Sequence, residues 1–105
     1  MPPSRLKALV VDDEKAIRRF LRSTLVAEDF EVFEAETMAE ARALGESAKP
    51  DLVVLDLGLP DGDGSDLIRP LSAVSRPAIL VLSALDEEAR KVNALDLGAN
   101  FKFRN

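Results

Sequence analysis

The sequence has neither cysteine nor histidine among its 105 residues. Without cysteine, the chain has no disulfide framework and no thiolate chemistry. Without histidine, it lacks the commonest general base and a common ligand of transition metals. The composition therefore excludes zinc enzymes and catalytic triads built on histidine.

Long apolar runs and an excess of basic residues are lacking as well. No run approaches the roughly 20 apolar residues needed to cross a bilayer. Residues 1–5 lead directly into an alternating apolar segment, without the hydrophobic region of a secretory signal. The net charge of −5 has the wrong sign for binding a phosphate backbone. We expect a cytoplasmic protein without membrane association or direct nucleic-acid binding.

The length and composition bound the organisation of the chain. Hydrophobic residues make up 47% and charged residues 31%, which is typical of a globular protein. A chain of this length fits one domain, so we expect residues 1–105 to form a single unit without an output domain. The function must then lie in one compact site.

Short apolar segments rich in leucine and β-branched residues predict the strands. They span residues 6–11, 30–34, 51–57 and Ala78–Leu82, and a possible fifth strand alternates Phe101 and Phe103 with Lys102 and Arg104. The first, third and fourth are apolar on both faces, as buried parallel strands are, whereas the second alternates like a strand nearer an edge.

Helical spacing appears between the strands. The first helix has an apolar stripe with arginines on the opposite side: Ile17, Phe20, Leu21 and Leu25 against Arg18, Arg19 and Arg22. Thr37 and Glu40 fit a capping box for a second helix, which Pro50 ends. Ser65 is a candidate cap for a third helix, which Pro70 should make irregular.

A fourth helix is predicted from Asp86, as the cap, to Gly98, as the left-handed end. Strands and helices then alternate along the chain. This order predicts an α/β protein with a doubly wound parallel sheet, right-handed crossovers and helices on both faces.

Polar residues end the apolar strands where such a sheet binds ligands. Asp12 and Asp13 follow the first strand, Asp56 ends the third, and Ser83 follows the fourth. Three carboxylates at one edge repel each other, and a hard cation such as Mg²⁺, with the Gly58 carbonyl as a further ligand, would relieve the repulsion.

Simpler roles remain open for each of these residues taken alone. Asp12 and Asp13 also fit helix caps, and Asp56 and Ser83 also fit turn positions. The segment 60–64 (PDGDG) is rich in acidic oxygens, but it lacks the closing glutamate of a calcium loop, so a tight turn is the better interpretation.

Three ordered motifs resemble the receiver domains of two-component response regulators. They are residues 10–14 (VVDDE), 55–64 (LDLGLPDGDG) and 81–84 (VLSA). The segments 16–22 and 33–37 are most similar to potassium-homeostasis regulators, whose receivers precede a winged-helix DNA-binding domain. The resemblance covers roughly residues 6–99.

This resemblance implies a CheY-like strand order of 2-1-3-4-5 and a role for each site residue. Asp56 would be the phosphoacceptor for a sensor histidine kinase, and Ser83 the switch hydroxyl. Asp13 and the Gly58 carbonyl would bind Mg²⁺ directly, with Asp12 acting largely through bound water. The first helix would also contact the kinase.

The C-terminal end departs from the family pattern. Receivers have an invariant lysine and proline before a last helix, whereas this chain reads GANFKFRN over residues 98–105. Ungapped counting puts Asn105 at the lysine position, and a one-residue slip puts Arg104 near it. We therefore expect an altered last strand and a missing last helix. Because the missing helix should expose apolar surface, we also expect either a homodimer or the exchange of an element between chains.

Two further functions compete with phosphotransfer. A pseudo-receiver would act as an interaction or dimerisation module without productive phosphoswitching, which the absent lysine favours. A phosphohydrolase with an aspartate nucleophile usually carries a second aspartate two residues later, and Gly58 stands there.

Overall fold

The computed structural model describes residues 5–82 and the backbone of residues 101–102. In chain order the elements are β1 (Lys7–Val11), α1 (Lys15–Ala27), β2 (Glu31–Ala35), α2 (Met38–Ala48), β3 (Leu52–Asp56), β4 (Gly58–Leu59), β5 (Gly62–Asp63), a 3-10 helix (Gly64–Leu67), α3 (Ile68–Ser75), β6 (Ala78–Leu82) and β7 (Phe101–Lys102).

Five of these strands form one parallel sheet in the order β2-β1-β3-β6-β7. The two-residue strands β4 and β5 form a separate antiparallel hairpin. Since β6 and β7 are the fourth and fifth strands of the main sheet, the predicted order 2-1-3-4-5 is confirmed. The fifth strand is short, with two residues paired to β6.

Burial separates the central strands from the edge strand. Residues 8–11 of β1 and 53–55 of β3 are buried, as their apolar runs predict for strands covered on both faces. In β2 only Ala35 is buried and Glu31 is exposed. The alternating pattern of β2 therefore indicated an edge strand correctly.

The prediction for the faces of α1 was wrong in two places. Arg18, expected on the solvent side with Arg19, is only 7% exposed, while Phe20, expected in the apolar stripe, is 69% exposed. A prediction from apolar periodicity places charged residues on the solvent side of a helix. A long arginine side chain can nevertheless lie on the inner side when oxygen acceptors there can bind its guanidinium group. Arg18 finds them on β2 and after β1.

Capping explains where α2 begins. The hydroxyl of Thr37 accepts a bond of 3.1 Å from the Glu40 N–H, as predicted. The Glu40 carboxylate accepts a bond of 2.7 Å from the N–H of Glu36, one residue before the position in a standard capping box. Asp61 adds a third cap from the β4–β5 hairpin, accepting bonds from Met38 and Ala39 N–H groups at 2.8 and 3.3 Å.

The third helical region begins irregularly, as Pro70 suggested. The cap of its 3-10 turn is Asp63, not Ser65: the Asp63 carboxylate accepts bonds of 2.9 Å from both the N–H and the hydroxyl of Ser65. Pro70 lies in the first turn of α3, where a missing N–H costs little.

Two of the sequence predictions concern residues that the structure does not describe. The helix expected from Asp86 to Gly98 and the segment 103–105 lie outside the described residues. Within the described ranges, no helix is long and apolar enough to cross a membrane.

Candidate functional site

Three carboxylates meet at the carboxyl edge of the central strands. Strands β1 and β3 are parallel neighbours with Val11 opposite Leu55, so the residues that follow these two positions lie side by side. One carboxylate oxygen from each of Asp12, Asp13 and Asp56 lies within 4.8 Å of the others. The structure thus brings together the three aspartates selected from the sequence.

Asp12 is the most enclosed of the three, with 2% of its surface exposed. Its N–H donates to the Ala35 carbonyl at 3.0 Å, and its Oδ1 accepts a bond of 2.8 Å from the Glu14 N–H. Burial raises the pKa of Asp12, the bond from Glu14 opposes this, and the charges of Asp13 and Glu14 raise the pKa further.

Asp56 is partly buried at the end of β3. Burial, followed by the charge of Asp12, raises the pKa of Asp56 to about 6. The Gly58 N–H donates a long bond of 3.4 Å to Asp56 Oδ1 and opposes that rise. The carboxylate therefore ionises less readily than an exposed aspartate, while remaining mostly charged above neutral pH.

This cluster has the chemistry of a site for a hard divalent cation. Mg²⁺ prefers oxygen ligands and takes one or two carboxylates, with waters and phosphoryl oxygens completing its shell. Burial, followed by the charges of neighbouring acidic residues, raises the pKa of Asp12 and Asp56, and a cation bound beside them would favour their ionised forms. The residues present fit Mg²⁺; the ligand role of the Gly58 carbonyl stays a prediction.

The β4–β5 hairpin lies against the end of β3. The Gly64 N–H donates to the Leu57 carbonyl at 2.7 Å. A Cβ atom on Gly64 would overlap the Asp56 carbonyl oxygen and lie 3.0 Å from the Leu57 Cα. Only glycine permits this approach, so the chain that follows the hairpin packs closely onto the end of β3. Residues 60–61 form the turn between β4 and β5, which confirms the interpretation of residues 60–64 as a tight turn.

Ser83, the predicted switch hydroxyl, lies outside the described residues. The strand before it, β6, pairs its last residue, Leu82, with Asp56. The roles of Ser83 and of the four candidate metal-binding residues, Asp12, Asp13, Asp56 and Gly58, remain predictions.

Sequence reasoning missed three residues around the site. Gly64 was noted only as part of a turn, and Asp61 carried no signal that its carboxylate would cap α2. The sequence did carry a signal for the burial of Arg18. Arg18 stands three residues before Leu21 and seven before Leu25, which places it on the same side of the helix as these two leucines.

The chain matches the response regulator receiver domain family over residues 8–102. It belongs to this family, and the CheY-like fold and acidic pocket described above are those of a receiver domain from a two-component system.

Among receivers, the chain is close to KdpE-type regulators. It is 52% identical over 92 residues to the KDP operon transcriptional regulatory protein KdpE of Escherichia coli (strain K12), covering 88% of this chain and 41% of that protein. It is 42% identical over 94 residues to the transcriptional regulatory protein ResD of Bacillus subtilis (strain 168), covering 90% of this chain and 39% of that protein. The chain thus spans about two fifths of these relatives.

Solved structures agree with this assignment. A response regulator from Burkholderia pseudomallei, with a phosphorylated aspartic acid, calcium ion and citrate, matches with a TM-score of 0.85 and 30% identity, covering 92% of this chain and 58% of that one. A receiver domain from Bermanella marisrubri matches with a TM-score of 0.85 and 31% identity, covering 95% of this chain and 85% of that one.

Proposed function

We propose that this chain accepts a phosphoryl group on Asp56 from a phosphohistidine of a sensor histidine kinase, with Mg²⁺ in the acidic pocket. The observation that carries the proposal is the meeting of Asp12, Asp13 and Asp56 within 4.8 Å at the strand ends of a receiver fold. In this proposal residues 1–105 form the receiver unit. The unit acts in the cytoplasm and does not bind nucleic acid directly.

Each group in the pocket has a part in this transfer. Asp13, Asp56 and the Gly58 carbonyl would hold Mg²⁺, and Asp12 would act on it largely through water. When bound, Mg²⁺ offsets the negative charge of the pocket and of the phosphoryl oxygens. Ser83 would donate its hydroxyl to a phosphoryl oxygen after transfer.

The bond changes at Asp56 are those of an in-line displacement. A carboxylate oxygen attacks phosphorus, forming an O–P bond, while the P–N bond to the histidine of the kinase breaks and its electron pair stays on the imidazole. Water later hydrolyses the acyl phosphate and regenerates the carboxylate. Asp56 attacks in its ionised form, which a nearby cation favours by lowering the pKa.

A solved structure supports the choice of an aspartate as the acceptor. The Burkholderia pseudomallei response regulator contains a phosphorylated aspartic acid and a calcium ion, and the two chains match over 92% of this one. Calcium and magnesium are both hard cations that take oxygen ligands. The proposal extends this chemistry to the present pocket with Mg²⁺ as the cation.

A small phosphodonor with Mg²⁺ tests the proposal directly. Intact mass spectrometry should show a gain of about 80 Da on the wild type, the mass of one phosphoryl group, and none on Asp56→Asn. Asp66→Asn is a matched control, since it removes the same charge from an exposed residue of the 3-10 helix and should react like the wild type. An unmodified wild type, or a modified Asp56→Asn variant, contradicts the proposal.

Neither competing function is favoured by an observation in the described residues. The pseudo-receiver predicts no mass gain in this experiment, and the phosphohydrolase predicts turnover of a phosphate ester, which the same reaction mixtures can report. Homodimerisation stays a prediction.

A further inference from the structure

Arg18 is a buried cation that belongs to neither the apolar core nor the set of predicted ligands. It lies in the first turn of α1 and is 7% exposed. Burying a guanidinium is costly unless its donors are satisfied. The contacts of Arg18 therefore indicate what this residue does.

All three guanidinium nitrogens of Arg18 face oxygen acceptors. One terminal nitrogen donates to the Asp12 carbonyl at 2.7 Å. The Nε donates to Glu34 at 3.2 Å, and the other terminal nitrogen lies 3.7 Å from Glu36. The side chain thus joins the end of β2 to the main chain immediately after β1.

The carbonyl that Arg18 holds has a special position. It belongs to the planar peptide unit that joins the Cα atoms of Asp12 and Asp13, so its direction helps to fix how these two acidic residues are oriented relative to each other. The opposite side of the same residue is fixed by the bond from the Asp12 N–H to Ala35. Loss of the Arg18 bond would remove a restraint on the carbonyl side of this peptide plane.

We propose that Arg18 is a positioning residue for divalent cation binding, holding the Asp12–Asp13 peptide so that both carboxylates face one cation. This inference rests on the proposed function insofar as the pocket takes Mg²⁺. Arg18 acts through the main chain, in the way that groups behind the ligands orient a metal site.

Arg22 is a matched control on the same helix. It pairs with the same glutamate, Glu34, at 3.0 Å, but its side chain is half exposed. No contact between Arg22 and Asp12 is among its hydrogen bonds or ion pairs in the described residues. A variant of Arg22 therefore loses a cation and a Glu34 contact while keeping the bond to the Asp12 carbonyl.

The test measures Mg²⁺ binding by isothermal titration calorimetry on the full chain, without any phosphodonor. Removing groups that orient metal ligands typically weakens binding by about 10- to 100-fold, so Arg18→Gln should raise the Mg²⁺ dissociation constant about 10-fold. Arg22→Gln should change it less than about 2-fold, because the effect of an exposed pair is small. Arg18→Lys keeps the charge but offers one nitrogen in place of three, and should also bind more weakly than the wild type.

A second measurement separates positioning from general damage. In the phosphodonor reaction, the Arg18 variants should need more Mg²⁺ for half-maximal rate but reach the wild-type rate at saturating Mg²⁺, which a misfolded pocket would not do. If Arg18→Gln fails to fold, Arg18→Lys carries the same comparison.

The outcomes distinguish the two proposals. A wild type that binds Mg²⁺ and is modified, with Arg18 variants that bind Mg²⁺ equally well, refutes the positioning role alone. Equal weakening in Arg18→Gln and Arg22→Gln also refutes it, because charge would then be the cause. A wild type that neither binds Mg²⁺ nor gains mass refutes the proposed function as well.

Discussion

Replacing Asp56 by asparagine is expected to stabilise the metal-free protein at neutral pH. Burial and the charge of Asp12 raise the pKa of Asp56 from 3.8 to about 6, so the folded protein binds this proton more tightly than the unfolded chain does. The ionised carboxylate therefore costs stability above pH 6. That cost fades as the pH falls through 6 towards 4.

The size of the effect follows from the two pKa values. A difference of one pKa unit corresponds to about 1.4 kcal/mol, so the change from 3.8 to about 6 corresponds to about 3 kcal/mol at pH 7.5. At pH 5 the same two values leave about half of this amount, because the folded protein is by then largely protonated at Asp56. Asparagine keeps the shape of the side chain and removes the charge, so it should recover most of this energy.

Urea unfolding in EDTA at pH 7.5 and pH 5 measures the difference between the wild type and Asp56→Asn. Asp66→Asn, at an exposed position, controls for the change in net charge and should lie within about 0.5 kcal/mol of the wild type. Added Mg²⁺ should narrow the gap, since a cation at about 100 times its dissociation constant stabilises the wild type by about 2.7 kcal/mol.

Two results would refute this reasoning. An Asp56→Asn variant no more stable than the wild type at pH 7.5 would show that the pocket does not penalise the charge. A gap that stays constant between pH 7.5 and pH 5 would show that the gain does not come from titration of Asp56.

Two other predictions concern the hairpin and the oligomeric state. Thr37→Ala and Asp61→Ala each remove a cap of α2, and Thr37→Ala should cost about 1 kcal/mol in urea unfolding. Only Asp61→Ala should also speed hydrogen exchange of the hairpin amides of residues 58, 59 and 61–63, because the Asp61 carboxylate joins the hairpin to α2. Equal exchange in both variants would contradict this. Light scattering at concentrations on the order of tens of micromolar should show a homodimer, and a stable monomer would contradict that prediction.

The main sheet was predictable because the apolar pattern of each strand indicates how far that strand is buried. Continuous apolar runs such as 52–55 indicate strands covered on both faces, and the polar residue that ends each run marks the edge where ligands bind. The meeting of Asp12 with Asp56 follows from adding one fact, that β1 and β3 are neighbours. That fact came from the family resemblance, since strand order depends on contacts between distant segments.

Long-range polar contacts were not predictable in the same way. Asp61 caps a helix that begins 23 residues earlier, and nothing local to Asp61 distinguishes it from an ordinary turn residue. Arg18 was assigned to the solvent side because periodicity treats charge as a sign of exposure. Its burial depends on Glu34 and the Asp12 carbonyl, which only the folded sheet brings within reach.

Several of these contacts hold the main chain beside the three aspartates of the pocket. Arg18 holds the Asp12 carbonyl, and Gly64 packs against the Asp56 carbonyl, so the fold secures the main chain on both sides of the cluster. Among residues 5–82, main-chain N–H groups donate to these carboxylates: that of Glu14 to Asp12, and those of Gly58 and Leu57 to Asp56. The aspartates are thus oriented through the main chain, while burial, followed by the charges of neighbouring acidic residues, raises the pKa of Asp12 and Asp56. We expect a divalent cation at this cluster to offset the acidic charge and to stabilise the folded protein.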